Sequence, residues 1–570
     1  MRALVNRTLQ LTAVFAAAAT WSVAAQQTAT GQVTFQDLRD GLKDATRWLT
    51  YSGDYTNQRH SPLTQITPDN VHRLTAQWAF QTDTLGKFEA TPLVVDGIVY
   101  ITGPLDTGWA LDARTGRQIW RQRRELPGNL IACCGLVNRG YGVLGDRLFK
   151  TTLDAHVVAY SMKTGATIWD TVMENYRNGY SATAAPLVVK DKVVVGMAGA
   201  EYGVRGFIDA YDAQTGKRSW RFFTTAGPED AGHGTWRGTD AKAWEKGGGS
   251  TWASGAYDPD LNLVYWGTGN AGPWNPRVRK GDNLYAASII AVRPKTGEIV
   301  WHYQATPNDI YDWDAVWEVI LADINVNGVS RKVAMQMNRN GFLYVLDRAT
   351  GELLSAKPFG ELNWATHVDM KTGRPVESEG AKKYRAGEPF PMWPSVRGAK
   401  NWPHAAFNPN TGLLYANTNH SYSTVRMLEL APFKAGTRYV GVENTYPTVN
   451  RGDIVGHIEA IDPMTATPKW RIPVRDYQIA SAMLATGGGL LFSGKHTGEF
   501  FALDADTGQT LWEFRTSSGV NAMPVTWTHK GKQYVTVLSG LGGLYGTRAR
   551  EALKDVPVGG SVWTFALQDN

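Results

Sequence analysis

Two of the 570 residues are cysteines, too few for a disulfide framework. No Cys-x-x-Cys-His is present, so the sequence offers no attachment point for a covalent haem. Neither sign of charge dominates. There are 58 Lys and Arg against 52 Asp and Glu, and the densest basic cluster, Arg121-Gln122-Arg123-Arg124, runs straight into Glu125. No nucleic-acid footprint is present. Past residue 25 no apolar run is long enough to span a bilayer, and few segments carry helical periodicity. What the chain does have is glycine, 60 residues of it, and tryptophan, 22.

The first 25 residues place Arg2 and Arg7 ahead of an apolar run from Leu9 to Ala19 and end in Val23-Ala24-Ala25. That is the plan of a secretory signal peptide cleaved near Ala25, which would deliver residues 26–570 to an oxidising compartment. Two thiols there tend to be bonded, yet these two, Cys133 and Cys134, are neighbours in the chain. Adjacent α-carbons lie about 3.8 Å apart, short of the usual disulfide span of roughly 4.4–6.8 Å. A bridge here would close almost no loop, so it would add little stability by restricting the unfolded chain. Spacing leaves two readings open: a small ring with a local or functional role, or two unpaired buried side chains.

One frame recurs along the chain. It appears as ALDARTGRQIW (110–120), AYSMKTGATIW (159–169), AYDAQTGKRSW (210–220), AVRPKTGEIVW (291–301), AIDPMTATPKW (460–470) and ALDADTGQTLW (502–512), and as VLDRATGELLS (345–355) without its tryptophan. An apolar strand end runs into a turn tipped by Thr-Gly, where glycine supplies positive φ, and a strand ending in tryptophan follows. Between the copies lie short β-rich stretches such as TPLVVDGIVYITG (91–103). A period of roughly 40–50 residues built from about four strands matches a propeller blade, which is too small to bury both faces alone. The expected fold is all-β: an eight-bladed β-propeller with tryptophan-docking repeats, forming a single domain. The early LTAQWAF and the terminal GGSVWTFAL would close the last blade from both chain ends. Tryptophans that end repeats are then packing residues, whereas Trp252 and Trp274 stand outside the frame and are free for ligands.

The long gap between Trp220 and Trp301 carries GGGSTWASGAYDPDLNLVYWGTGNAGPWN (247–275), and TPNDIYDWDAVWE (306–318) follows the next repeat. Glu201, Asn270 and Asp312 lie on different blades and could converge on the axis as oxygen ligands for a hard cation such as Ca²⁺. Asp312 and Asp314 are two apart, so an extended segment would point both the same way. The plain alternative is solvated loop acids. His233 and His404 have no paired ligand spacing and read as hydrogen-bonded core or loop residues.

ACCGLVNRG, GAEYGVRG, GTGNAGPWN, TPNDIYDWD and MNRNGFLYVLDRATG, in that order, resemble the quinoprotein alcohol dehydrogenases of the methanol and ethanol dehydrogenase type. The resemblance covers nearly the whole chain after residue 25. It implies a periplasmic enzyme that holds pyrroloquinoline quinone (PQQ) and one metal ion, Ca²⁺ or a lanthanide, at the hub of the propeller. It implies that Cys133 and Cys134 form a disulfide ring on one face of the quinone and that Trp252 covers the other. Glu89, Arg139, Thr183, Ala200 and Asn401 would contact its carboxylates and edge, and Arg339 its reactive carbonyl. Glu201, Asn270 and Asp312 match the metal positions, and Asp312 also matches the catalytic base that takes the hydroxyl proton while hydride passes to the quinone. Asp314 matches a position where lanthanide-using relatives carry an aspartate, and a trivalent ion gains more from an added carboxylate than a divalent one does. Leu544 and Ala480 replace tryptophans of the methanol enzymes, which implies a wider pocket and a secondary or bulky alcohol, while Trp274 is kept. Electrons would leave to an external acceptor, a periplasmic cytochrome c. Two rivals stay open: a quinoprotein for sugars, sugar alcohols or polymeric alcohols, and a non-enzymatic propeller scaffold.

Overall fold

A computed structural model describes residues 32–450, 452–475, 481–542 and 553–569. The expected signal peptide, Ala480 and Leu544 lie outside the described residues. Helix is confined to Phe35–Asp40, Glu379–Ala386 and a few single turns, and none of the described helices is long and apolar enough to cross a membrane.

Strands form seven antiparallel sheets of four and one of five, in which His60–Ser61 joins Leu484–Thr486 in parallel, with two smaller sheets beside them. The first strand of a sheet is buried on both faces, as in Leu93–Val95 and Leu187–Val189, which is why these read as unbroken Leu-Val-Val. The last strand alternates, Pro468–Arg475 strictly so, because only one of its faces meets a neighbour. Leu74–Gln81 pairs with Ser561–Leu567, so the two chain ends do complete one sheet.

The repeats join the sheets to one another. Indole N–H groups donate from Trp78 to Ala113 O, Trp120 to Met162 O, Trp169 to Ala213 O, Trp220 to Pro294 O, Trp301 to Arg348 O, Trp470 to Ala505 O and Trp512 to Leu74 O. Each bond runs from one sheet to the next. In the copy that lacks tryptophan, Ser355 takes the position and donates to Met464 O across the same boundary, so eight sheets are linked in a closed cycle. All of these indoles except Trp512 also lie on the tip glycine of the next repeat. A Cβ on Gly297 would sit 2.5 Å from Trp220 Cε3. After Ser355, where no indole arrives, the tip residue is Ala466 instead, at φ +54°. The missing tryptophan and the missing glycine are two sides of one contact. Burying an indole's roughly 150–250 Å² is worth at most about 4–6 kcal/mol, so hydrophobic clusters between sheets, not a single central cluster, form the core.

Candidate active site

Most of the candidate residues stand on the segments that lead into the first strand of a sheet. Glu89 precedes Leu93–Val95, Arg139 precedes Gly142–Leu144, Thr183 precedes Leu187–Val189, Trp252 precedes Ala256–Asp258, and Asn401 precedes Ala406–Asn408. Asp312 and Asp314 lead toward Ile320–Val326, Glu201 lies on the turn Ala200–Tyr202, and Arg339 lies between Val329–Met337 and Phe342–Asp347. Hydrogen bonds tie successive lead-ins together: Thr91 N donates to Arg139 O at 3.1 Å and Arg139 N to Thr183 O at 3.0 Å, and Arg139 Nη1 donates to Thr183 Oγ1 at 2.6 Å.

These segments surround a cavity of about 320 Å³ lined by Glu89, Cys133, Cys134, Arg139, Thr183, Glu201, Trp252, Trp274, Asp312, Asp314, Arg339 and Asn401. Cys133 and Cys134 are joined to each other, with α-carbons 3.8 Å apart, and Cys134 is exposed, which disposes of the reading as two unpaired buried side chains. Ala200 is buried and does not line the cavity, although Gly199 and Glu201 on either side of it do. Asn270 reaches the site through its backbone, its N–H donating to Asp314 Oδ1 at 2.9 Å. Asn401 lines the wall, but its amide is used locally: Nδ2 donates to Arg397 O at 2.7 Å, and Oδ1 accepts from Trp402 N at 2.9 Å.

The electrostatics divide the cavity in two. At one end Glu89 pairs with Lys87 and, at 2.7 Å, with Arg139. Burial alone would raise the Glu89 pKa, but the two cations outweigh it and hold the carboxyl below its ordinary range. At the other end two buried aspartates and a half-buried glutamate meet one arginine. Arg339 Nη2 donates to Asp312 Oδ2 at 3.1 Å and Nη1 to Asp314 Oδ2 at 2.9 Å, and its Nε and Nη2 also donate to Val396 O. Burial pushes Asp312 well above the usual carboxylate range, with the charges of Asp314 and Glu201 adding to the rise and Arg339 opposing it. Glu201 and Asp314 are raised for the same first reason. Asp314 is a hub: it accepts from both Asn270 N and Arg339 Nη1, each at 2.9 Å.

Three expectations need correction. The segment 311–314 is not extended, since Asp312 has φ +63°. The two aspartates share a partner because Asp309 accepts from Tyr311 N and Trp313 N, each at 2.8 Å, and curls the loop. Arg339 is engaged by both aspartates rather than aimed at a ligand. Among the described residues, Glu201, Asp312 and Asp314 do not bring carboxylate oxygens within 4.8 Å of one another as a set; the trio that does is Glu201 with the two bonded sulfurs. Like charges repel, and Arg339 draws the aspartates to itself. The donor chemistry still suits a hard cation, since two buried carboxylates share one counter-charge beside the half-buried Glu201.

Sequence reasoning missed Lys87, Trp402, Arg397, Arg438, Asn444 and Tyr446, all of which line the cavity. Lys87 and Arg139 lie 4.8 Å and 5.7 Å from the Trp402 ring centre. The last three belong to an excursion between Leu413–Asn419 and Ile454–Ile461, whose only signal was the length it adds to one repeat. The two histidines behave as expected: His404 is buried and bonded to Ser52 and Ala405, and His233 bonds Ala226 O.

The comparisons agree with this geometry. Residues 48–356 and 452–535 match the family described as PQQ: Glucose/ethanol/alcohol dehydrogenase, beta-propeller domain. The chain belongs to that family. It is a PQQ-dependent alcohol dehydrogenase by kinship as well. It is 42% identical over 515 residues to quinohemoprotein alcohol dehydrogenase ADH IIB of Pseudomonas putida, covering 87% of this chain and 74% of the relative. It is 37% identical to quinoprotein alcohol dehydrogenase PedH of the same species, covering 95% and 94%. Among solved structures, a europium-containing methanol dehydrogenase superposes with a TM-score of 0.87 at 34% identity, covering 93% of this dehydrogenase and 100% of that chain.

Proposed function

We propose that this dehydrogenase is exported to the periplasm with loss of residues 1–25, that its eight sheets are the blades of one propeller over residues 26–570, and that it oxidises a secondary or bulky alcohol, rather than methanol, to the carbonyl compound. Electrons pass to a separate acceptor, a periplasmic cytochrome c. The observation that carries the reading is the convergence of Glu89, the Cys133–Cys134 ring, Arg139, Thr183, Trp252, Asp312 and Arg339 on one cavity.

The cavity suits a flat polyanion. Arg139 and Lys87 supply positive charge, the Arg139 Nε is buried with no hydrogen-bond partner in the protein, and Trp252 and the disulfide offer flat surfaces. Glu89, Arg139, Thr183 and the Ala200 and Asn401 loops hold the quinone in this reading, and Glu201, Asn270, Asp312 and Asp314 hold the ion. When bound, the quinone supplies the hydride acceptor and the ion the positive charge that favours its reduction. Asp312 takes the hydroxyl proton on a carboxylate oxygen. Burial strengthens it as a base, and Arg339 holds it in place. Trp274 and the rings around it keep water from the reacting carbon and fix the alcohol against Asp312. Asp314 favours a lanthanide over Ca²⁺, and a structural relative does contain europium.

The test is to prepare the apoprotein, add PQQ with either Ca²⁺ or La³⁺, and follow dye reduction over alcohols, sugars and polyols. Activity in a protein shown to be free of the quinone sinks the assignment. Equal rates with the two metals sink the role given to Asp314.

A further inference from the structure

The excursion between Leu413–Asn419 and Ile454–Ile461 is pinned to the site at several points. Tyr439 N donates to Glu201 O at 2.7 Å and Asn275 N to Val440 O at 3.3 Å, and Asn275 Nδ2 donates to Leu428 O at 2.8 Å. Phe433 packs on Gly203, where a Cβ would meet its ring at 2.5 Å. The segment therefore bridges the loop that carries Glu201 and the loop that carries Trp274, and it presents side chains to the cavity from a tethered backbone.

Those side chains are polar, cationic and aromatic: Arg438, Asn444 and Tyr446, with Arg397 opposite. The Arg397 guanidinium lies 4.5 Å from the Tyr446 ring centre, and that of Arg438 lies 5.8 Å from Trp274. Of the other cations of the cavity, Lys87 and Arg139 share Glu89, Arg339 bridges Asp312 and Asp314, and Arg397 lies on Tyr446. Among the described residues Arg438 enters no ion pair, and its charge acts on the half-buried Glu201. An exposed guanidinium held over an aromatic face is arranged to receive a planar anion two-pronged, which an ammonium or amide cannot reproduce.

Resting on the alcohol-oxidation reading above, we infer that Arg438 is a specificity residue and that the preferred substrates are alcohols carrying a carboxylate on the end away from the hydroxyl, with a flat or apolar spacer lying along Trp274. The hydroxyl is oriented toward Asp312 while Arg438 receives the carboxylate. The reaction is the ordinary two-electron oxidation, with one proton leaving to Asp312 and a hydride to the quinone, and the carboxylate is unchanged.

The probes are 4-(hydroxymethyl)benzoate against benzyl alcohol, and 6-hydroxyhexanoate against 1-hexanol, with the reconstituted holoenzyme. The wild type is expected to favour the acid of each pair in kcat/KM, chiefly through KM. Arg438→Gln should lower the acid-to-neutral ratio at least tenfold, Arg438→Lys should restore part of it, and Arg438→Glu should invert it. Raised salt should erode the preference. A wild type that oxidises the neutral alcohols but discriminates against the acids overturns this inference alone. So does an Arg438→Gln variant that slows both members of a pair equally, since that assigns Arg438 to Glu201 or the cofactor. A holoenzyme that oxidises no alcohol at all brings down the functional reading beneath it.

Discussion

Exchanging glycine and alanine should matter far more at one repeat tip, where an indole arrives, than at the equivalent tip where none does. Gly297 has φ +73°, and an added Cβ would lie 2.5 Å from Trp220 Cε3 and 2.7 Å from Cδ2. Gly297→Ala therefore costs about 1–2 kcal/mol for a left-handed alanine and about 1–3 kcal/mol for overpacking against a ring pinned by its bond to Pro294 O, offset by about 0.5–1 kcal/mol of reduced unfolded-chain entropy, a net cost of about 1–4.5 kcal/mol. Ala466 already pays the conformational cost at φ +54°, but Ser355 stands where the indole would be. Ala466→Gly regains about 1–2 kcal/mol of backbone strain and loses about 0.5–1 kcal/mol to chain entropy, so it should be neutral or stabilising by up to about 1.5 kcal/mol. Differential scanning calorimetry on the holoenzyme reads this as a fall of a few degrees for the first variant and no fall for the second, since a chain of this length shifts by roughly 1 °C per kcal/mol. If both variants lose stability, or Gly297→Ala loses none, the pairing of indole and tip glycine does not hold the sheets together as argued.

Three further outcomes follow from the site. Asp312→Asn should cut kcat by about 10²–10⁴-fold while the protein still takes up PQQ in an absorbance titration; loss of uptake would mean that Asp312 holds the cofactor rather than the proton. The double variant Cys133→Ser, Cys134→Ser should melt within a few degrees of wild type, because the ring closes no loop, yet bind PQQ more weakly; a large fall in melting temperature would make the ring a structural staple. His404 donates through Nδ1 to Ala405 O and accepts at Nε2 from Ser52, and burial pushes its pKa down from 6.5 to about 4. Its folded pKa lies below the unfolded one, so its contribution is complete above about pH 6.5 and is lost as pH falls toward 4, by up to about 3 kcal/mol. His404→Gln should flatten the stability curve over that window, and an unchanged slope would refute the assignment.

Local patterns alone determined much of this molecule. The Thr-Gly turn followed by a strand to tryptophan needs no distant partner to be legible, because turn chemistry and strand alternation are encoded within about a dozen residues. The family resemblance named Glu89, Cys133, Cys134, Arg139, Glu201, Trp252, Asp312 and Arg339, all of which line one cavity. Tertiary structure decided what depends on contacts between segments far apart in the chain. Spacing could not say that Asp314 takes the backbone N–H of Asn270, since those residues lie on segments of different sheets. Nor could it say that Arg339 spends itself on two aspartates, because the field of buried charges exists only once they are brought together. Arg438 was invisible for the same reason: an arginine in a long excursion has no repeat to place it, and only the hydrogen bonds that pin that excursion to Glu201 and Asn275 put its charge over the cavity.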